Sequence, residues 1–102
     1  MLRAISFRLV PGFPPLLKAD FWVPCPSLVL GRYRCQGRAE VLGLHIGEQS
    51  GPRSIRIEKP TVRPRCVECL RRIRITQTEW DQLLGEAKNF FASERLQRAS
   101  VA

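Results

Sequence analysis

The sequence lacks the motifs on which most enzyme active sites are built. It contains a single histidine, His45, which lies within a strand-like segment without an acid or a nucleophile beside it. There is no glycine-rich phosphate loop, no HExxH pair and no nucleophile elbow. We therefore expect a protein that is not an enzyme and that has no small-molecule substrate.

Long hydrophobic runs are also missing. The longest uncharged apolar stretch, residues 21–31, is interrupted by Pro24 and Pro26 and is too short to cross a bilayer. We therefore expect no membrane association.

The N-terminal segment is basic but has the pattern of a strand. Residues 1–19 contain three basic side chains and no acidic one, which would suit a mitochondrial presequence. However, Ile5, Phe7 and Leu9 alternate with polar residues, as in a β-strand. We therefore favour a cytoplasmic protein over an organellar one.

Acidic residues are scarce relative to basic ones. The 102 residues include nine acids and seventeen bases, a net charge of +8. Residues 1–76 contain fourteen of the bases and five of the acids, and arginines outnumber lysines fourteen to three. This excess favours a polyanionic partner, either nucleic acid (DNA or RNA) or a ribonucleoprotein or protein assembly. The alternative is a positive surface that contacts only water.

Periodicity predicts an α+β fold, a small mainly antiparallel β-sheet with one C-terminal amphipathic helix. The length suits a single domain over 1–102, divided into a basic β-rich part (1–76), a helix (77–97) and a tail (98–102). A strand is expected over 28–35, with a bulge or bend at Gly31 and with Tyr33 and Cys35 on one face. Another is expected over 39–46, with Leu42, Leu44 and Ile46 on one face. Others are expected over 54–58 and 70–75, and Pro and Gly predict loops at 11–15 and 47–52.

The helix has the clearest local signals. Thr76 and Glu79 have the spacing of a capping box. Apolar residues then recur with a period of 3.6, at Trp80, Leu83, Leu84, Ala87, Phe90 and Phe91. This face either packs on the sheet or, through Trp80, Phe90 and Phe91, docks onto a partner.

Five arginines lie opposite apolar neighbours in the predicted strands: Arg32, Arg34, Arg56, Arg72 and Arg74. If these strands share one sheet, the arginines form a stripe that would contact phosphates. The alternative is the ordinary polar outer face of a sheet. Tyr33 and both tryptophans are assigned to buried faces, so no aromatic surface for stacking bases is expected.

Two of the four cysteines form a CxxC pair, Cys66 and Cys69. This spacing lets two thiolates converge on one metal ion from a tight turn.

The segment around this pair resembles the first knuckle of small zinc-ribbon domains. The resemblance covers residues 66–80 and is carried by Cys66, Cys69, Ile73, Ile75, Thr76, Thr78, Glu79 and Trp80. It implies a zinc site in which a CxxC turn precedes a short strand and an acidic helix start. Leu70 stands where a glycine is usual, and no second CxxC follows.

If zinc is bound, Cys25 and Cys35 supply the remaining ligands, with His45 as a substitute. The alternatives are free buried cysteines, disulfides and a thioredoxin-like redox pair. The leading hypothesis is a zinc-stabilised module that binds nucleic acid. The other hypotheses are a structural or assembly subunit and an orphan reading frame with little evolved function.

Overall fold

The computed structural model describes residues 1–12, 16–48 and 55–101. Within these ranges the elements are β1 (Arg3–Val10), β2 (Leu16–Pro24), β3 (Leu28–Val29), β4 (Tyr33–Arg34), β5 (Arg38–Glu48), β6 (Ile55–Ile57) and α1 (Gln77–Val101). Four strands form an antiparallel sheet in the order β1-β2-β5-β6, and β3 pairs with β4 in a second, small sheet. The predicted α+β class is confirmed. No helical segment among the described residues has both the length and the apolar character that crossing a bilayer requires.

The core lies between the inner face of the four-stranded sheet and helix α1. Alternate residues of β2 are buried, including Leu17 and Phe21, because successive strand side chains point to opposite faces. The helix contributes Leu83, Ala87 and Phe91, all buried. Full burial of one such leucine or phenylalanine contributes about 1.5–3 kcal/mol.

A bulge in β5 reverses the alternation of its side chains. Ala19 pairs with Leu44 but Phe21 pairs with Val41, so β5 has one extra residue at this point. Gly43 takes a φ of 66° there, and its N–H donates to Asp20 Oδ1 at 2.7 Å. The prediction that Leu42 shares a face with Leu44 and Ile46 is therefore wrong, since Leu42 is 72% exposed.

The segment predicted as one strand over 28–35, with a bulge or bend at Gly31, is a hairpin. Leu30 and Gly31 both have positive φ and turn the chain, so that Val29 pairs with Tyr33. Tyr33 is 66% exposed, whereas Cys35 is buried. The prediction that these two residues share a face is wrong, because the chain leaves the strand after Arg34.

The segment 70–75 joins neither sheet. It forms an isolated bridge between Arg65 and Arg72, so the predicted strand is wrong. The predicted alternation is nevertheless correct, because Ile73 and Ile75 are buried while Arg72 and Arg74 are exposed. Burial of the two isoleucines in the core fixes which way the segment faces.

The remaining boundaries differ by a few residues from those predicted. Helix α1 continues to Val101, so most of the predicted tail is helical. The predicted strand 54–58 corresponds to β6, which ends at Ile57, so that Glu58 lies beyond it, whereas Ser54 lies outside the described residues. The predicted loop at 47–52 is wrong for Gly47 and Glu48, which belong to β5, and its remainder lies outside the described residues. In the predicted loop 11–15, residues 13–15 also lie outside the described residues.

The capping box at the start of α1 is confirmed. The Glu79 N–H donates to Thr76 Oγ1 at 3.2 Å, and the Thr76 N–H donates to Glu79 Oε1 at 3.0 Å. The Met1 amino group lies 3.1 Å from Glu79 Oε2. Partial burial raises the pKa of Glu79, but these hydrogen bonds and the amino group outweigh it and lower the pKa below its usual value.

A lowered pKa predicts that Glu79 stabilises the fold above the unfolded-state pKa of about 4.3. This contribution is lost as pH falls through the lower folded-state pKa. We expect Glu79→Gln to reduce the free energy of unfolding by about 0.5–1 kcal/mol at pH 7, with no difference from wild type at the lowest pH. Urea unfolding at a series of pH values measures this difference in the free energy of unfolding. Glu86→Gln, at an exposed mid-helix position, is the control and should change stability little at any pH.

Candidate metal centre and its arginine-rich surroundings

The four cysteines converge on one point. The Sγ atoms of Cys25, Cys35, Cys66 and Cys69 all lie within 4.8 Å of one another. The Cys25–Cys69 and Cys35–Cys66 separations are 3.6 and 3.7 Å. A tetrahedron with metal–sulfur bonds of about 2.3 Å has edges of about 3.8 Å, whereas a disulfide bond is about 2.05 Å long. These two separations match the edges of such a tetrahedron, the other four are at most 4.8 Å, and the cysteines are free, so the cluster could hold a metal ion.

Backbone hydrogen bonds hold the cysteine-bearing segments together. Cys25 follows β2 and donates its N–H to the Gly37 carbonyl at 3.0 Å. Cys35 follows β4, and its N–H donates to the Ser27 carbonyl at 2.8 Å, which closes the β3–β4 hairpin. The Val67 N–H reaches the Arg38 carbonyl at 3.0 Å and joins the CxxC turn to the start of β5. The site therefore assembles from three separated parts of the chain.

Two of the sulfurs accept backbone N–H groups from the residue two positions later. The Gly37 N–H lies 3.4 Å from Cys35 Sγ, and the Glu68 N–H lies 3.4 Å from Cys66 Sγ. Such hydrogen bonds stabilise negative charge on sulfur and orient the ligand. Cys35-Gln36-Gly37 thus forms a second knuckle that lacks a CxxC spacing.

Gly37 is a site residue that the sequence reasoning missed. A Cβ at this position would lie 2.6 Å from Cys66 Sγ and 2.7 Å from Glu68 Cβ. Only glycine leaves room for the two knuckles to approach each other. The available sequence signal was a glycine two residues after a cysteine, which by itself is a common feature of turns.

Leu70 adopts the backbone conformation for which glycine is usual. Its φ is 63°, and its N–H donates to the Cys66 carbonyl at 3.0 Å, which closes the CxxC turn. The left-handed conformation costs a leucine about 1–2 kcal/mol. The turn therefore forms with the leucine present, at some cost in stability.

The ionisation of the thiols is uneven. Burial raises the pKa of Cys25, but hydrogen bonds with Ser27 and with the neighbouring thiols outweigh it and lower the pKa to about 7. A backbone hydrogen bond from Gly37 lowers the pKa of Cys35, but burial and the hydrogen bonds with neighbouring thiols outweigh it and raise the pKa to about 11. Cys25 therefore ionises more readily than Cys35, and a bound cation would favour the thiolate form of both.

His45 does not belong to the cluster. It lies on the outer face of β5, where its Nδ1 is 3.4 Å from Glu58 Oε2. The suggested substitution of His45 for a cysteine ligand is therefore wrong, since four cysteines already complete a tetrahedral set.

The five predicted phosphate-contacting arginines do not form a stripe on one sheet. Arg56 lies on β6, Arg34 lies on β4 of the small sheet, and the other three, Arg32, Arg72 and Arg74, lie outside the strands. Because β6 pairs with the far end of β5, Arg56 is separated from the other four. The expectation of a shared sheet is wrong, although each of these arginines is exposed as predicted.

The positive charge is instead concentrated on the cysteine unit, defined here as residues 25–38 and 63–76. It contains one acid, Glu68, and eight arginines: Arg32, Arg34, Arg38, Arg63, Arg65, Arg71, Arg72 and Arg74. All eight are exposed. In the described part of the chain only Arg38 among them forms an ion pair, with Glu40 at 3.1 Å. The cysteine unit therefore carries most of the excess charge of the protein.

Trp22 is partly exposed on the outer face of β2, between buried Phe21 and Val23. The Arg38 guanidinium lies 5.0 Å from the centre of its ring. The prediction that Trp22 and Tyr33 face the core is wrong for both. The alternation of Phe21, Trp22 and Val23 was the signal that could have placed Trp22 outward.

The aromatic residues of α1 lie mostly within the core. Trp80 and Phe91 are 8% and 4% exposed, and Phe90 packs its ring against Phe7 with a centroid distance of 5.4 Å. Because Trp80 and Phe91 are buried within the protein itself, they do not form the predicted docking surface.

No protein-family model, no curated protein and no solved structure shows significant similarity to this chain. The functional interpretation therefore depends on the geometry and charge of the site itself.

Proposed function

We propose that this protein is a non-catalytic, zinc-stabilised module that binds nucleic acid. In this proposal the four cysteines hold one zinc ion, and the arginines of the cysteine unit contact phosphates. The observation that carries the proposal is that the cysteine cluster and the exposed arginines belong to the same segments. The segments that the cysteines hold together also contain eight exposed arginines and a single acid.

The choice of zinc follows from the donor set. Four thiolates at tetrahedral spacing suit zinc, which has no geometric preference of its own and binds sulfur well. Three of the four cysteines are buried, as in closed structural sites without an open coordination position. The proposed role of the metal is therefore structural.

The charge balance favours phosphate as the partner. A zinc ion with four thiolates carries a charge of about −2, which leaves the cysteine unit strongly positive. Arginine presents a planar fork that matches phosphate oxygens. Contacts of this kind bind without reading base sequence and weaken as salt displaces them.

Salt-dependent binding tests the proposal. We expect the affinity for a fluorescein-labelled oligonucleotide to fall at least about tenfold between 50 and 200 mM salt, as measured by anisotropy. Arg34→Gln should weaken binding and reduce the slope of log K against log[salt] by about 1. Arg56→Gln is the matched control, because it removes the same charge at the far end of the sheet, and it should change the slope much less.

Two outcomes would contradict the proposal. Binding of oligonucleotides that is undetectable at 50 mM salt, with the metal site loaded, would exclude nucleic acid as the partner. Equal effects of Arg34→Gln and Arg56→Gln would show that only net charge matters and that the cysteine unit is not the binding surface.

A further inference from the structure

A groove runs along the outer side of the cysteine unit, beside the sheet. Arg3, Trp22, Arg34, Arg38 and Glu68 contribute to its walls, together with Cys25 and Cys35 of the cluster. We propose that this groove binds single-stranded nucleic acid, with one base stacked against the Trp22–Arg38 pair. This inference rests on the proposed function and names its substrate class.

Trp22 lies where three elements meet. On the sheet it is opposite Arg3 of β1 and Glu40 of β5. The cysteine unit closes the other side of the groove with Arg34 and Glu68. An aromatic side chain beside arginines is the combination with which proteins bind single strands, because the ring stacks on a base while the cations follow the backbone.

The Trp22–Arg38 pair presents a prepared stacking surface. The Arg38 guanidinium lies 5.0 Å from the ring centre, and Glu40 holds it from the side at 3.1 Å. A base can stack on an indole ring or on a guanidinium plane. Because the ion pair with Glu40 already restricts Arg38, less side-chain freedom is lost on binding.

The acids in the groove do not cancel its preference for an anion. Glu40 is neutralised by Arg38, and Arg3 and Arg34 outnumber Glu68. The charge of the thiolate cluster, two of whose cysteines line the groove, is offset by the eight arginines of the cysteine unit. Carboxylates accept hydrogen bonds from the amino groups of bases. Glu68 therefore suits a groove that receives bases as well as phosphates.

The position of Trp22 distinguishes single strands from duplexes. In a duplex the base faces are stacked on each other and are out of reach for a half-buried ring on a sheet surface. Unpaired bases can be splayed out and can enter the groove. We therefore expect Trp22 to contribute to the binding of single strands and not of duplexes.

Affinity measurements with a matched pair of variants test this. We expect Trp22→Leu to weaken binding of a 12-nucleotide oligothymidylate by about tenfold or more, with the affinity for a duplex and the salt slope unchanged. Tyr33→Leu removes a more exposed aromatic residue that does not line this groove and should change neither affinity by more than about twofold. Trp22→Phe should restore part of the loss. Metal content and circular dichroism confirm that each variant is folded.

Tryptophan fluorescence gives an independent test of stacking. In a Trp80→Phe background Trp22 is the only tryptophan, since the chain has two. We expect oligothymidylate to quench it and polyphosphate, a polyanion without bases, to leave it nearly unchanged. If Trp80→Phe perturbs the fold, ¹⁹F NMR of the wild-type protein with 5-fluorotryptophan provides the same comparison, with the Trp22 resonance assigned by its absence in Trp22→Leu.

The outcomes separate this inference from the proposed function. If Trp22→Leu binds oligothymidylate as wild type does while Arg34→Gln weakens binding, the stacking site is wrong and the phosphate-binding module stands. Equal quenching by polyphosphate, or a larger effect of Tyr33→Leu than of Trp22→Leu, would also overturn the stacking site. Failure to bind any oligonucleotide would overturn both.

Discussion

Cys69→Ser is expected to abolish stoichiometric metal binding and to lower the free energy of unfolding by at least about 3 kcal/mol, because structural zinc contributes about 10–16 kcal/mol in zinc-finger peptides. Cys69 is the least buried of the four cysteines, and serine is nearly isosteric with it. Little of the loss can therefore come from packing. Metal analysis of the purified protein and urea unfolding measure the two effects.

A chelator provides the control for this experiment. In excess EDTA the wild-type protein and Cys69→Ser should have the same stability, since the variant has lost only what the metal supplies. The backbone N–H groups of Gly37 and Glu68, which point at sulfurs, should lose protection from hydrogen exchange when zinc is removed. Protein that contains no zinc, and whose stability neither EDTA nor Cys69→Ser changes, would contradict the metal site.

Gly37→Ala is expected to weaken zinc binding by about 10–100-fold, the range found when groups that support metal ligands are changed. The added methyl carbon would lie 2.6 Å from Cys66 Sγ, so one knuckle must move away from the other. The displaced backbone includes the N–H that reaches Cys35. Competition with a chromophoric zinc chelator measures the affinity.

Gly85→Ala is the matched control. Gly85 lies within α1, and a Cβ there would meet nothing within 4 Å. We expect this substitution to leave zinc affinity unchanged and to stabilise the protein by about 0.5–1 kcal/mol, because alanine favours the helix. If Gly37→Ala binds zinc as tightly as Gly85→Ala does, the two knuckles are not in close contact.

Local sequence signals predicted the elements whose structure depends on near neighbours. The capping residues Thr76 and Glu79 and the apolar period that follows them placed the start of α1 correctly, because a helix is built from contacts three and four residues apart. Alternation likewise predicted which side chains of 70–75 are buried. It did not predict that this segment stays outside the sheets, since strand pairing is a long-range property.

Backbone irregularities explain most of the errors within the sheet. Gly43 inserts one residue into β5 and shifts every later side chain to the opposite face. Leu30 and Gly31 turn the chain back on itself. In both cases the glycine was visible in the sequence, but whether it forms a bulge, a bend or a turn depends on the strand that it faces.

The candidate site was predicted in its composition and not in its arrangement. The CxxC pair predicted Cys66 and Cys69 as candidate ligands because both belong to one turn, whereas no spacing motif joined Cys25 and Cys35 to them. Their place beside the pair depends on β2, on the β3–β4 hairpin and on the hydrogen bond from Val67 to Arg38.

By itself, the sequence determined the charge, the number of thiols and the local periodicities, because these are properties of residues and their near neighbours. Only the tertiary structure decided that eight arginines are exposed on the segments that carry the cysteine cluster, that Gly37 lets the two knuckles approach each other, and that Trp22 faces a groove while Trp80 faces the core. The physical reason is that these juxtapositions arise from strand register and chain reversal, which bring together residues far apart in the sequence, such as Cys25 and Cys69, forty-four positions apart.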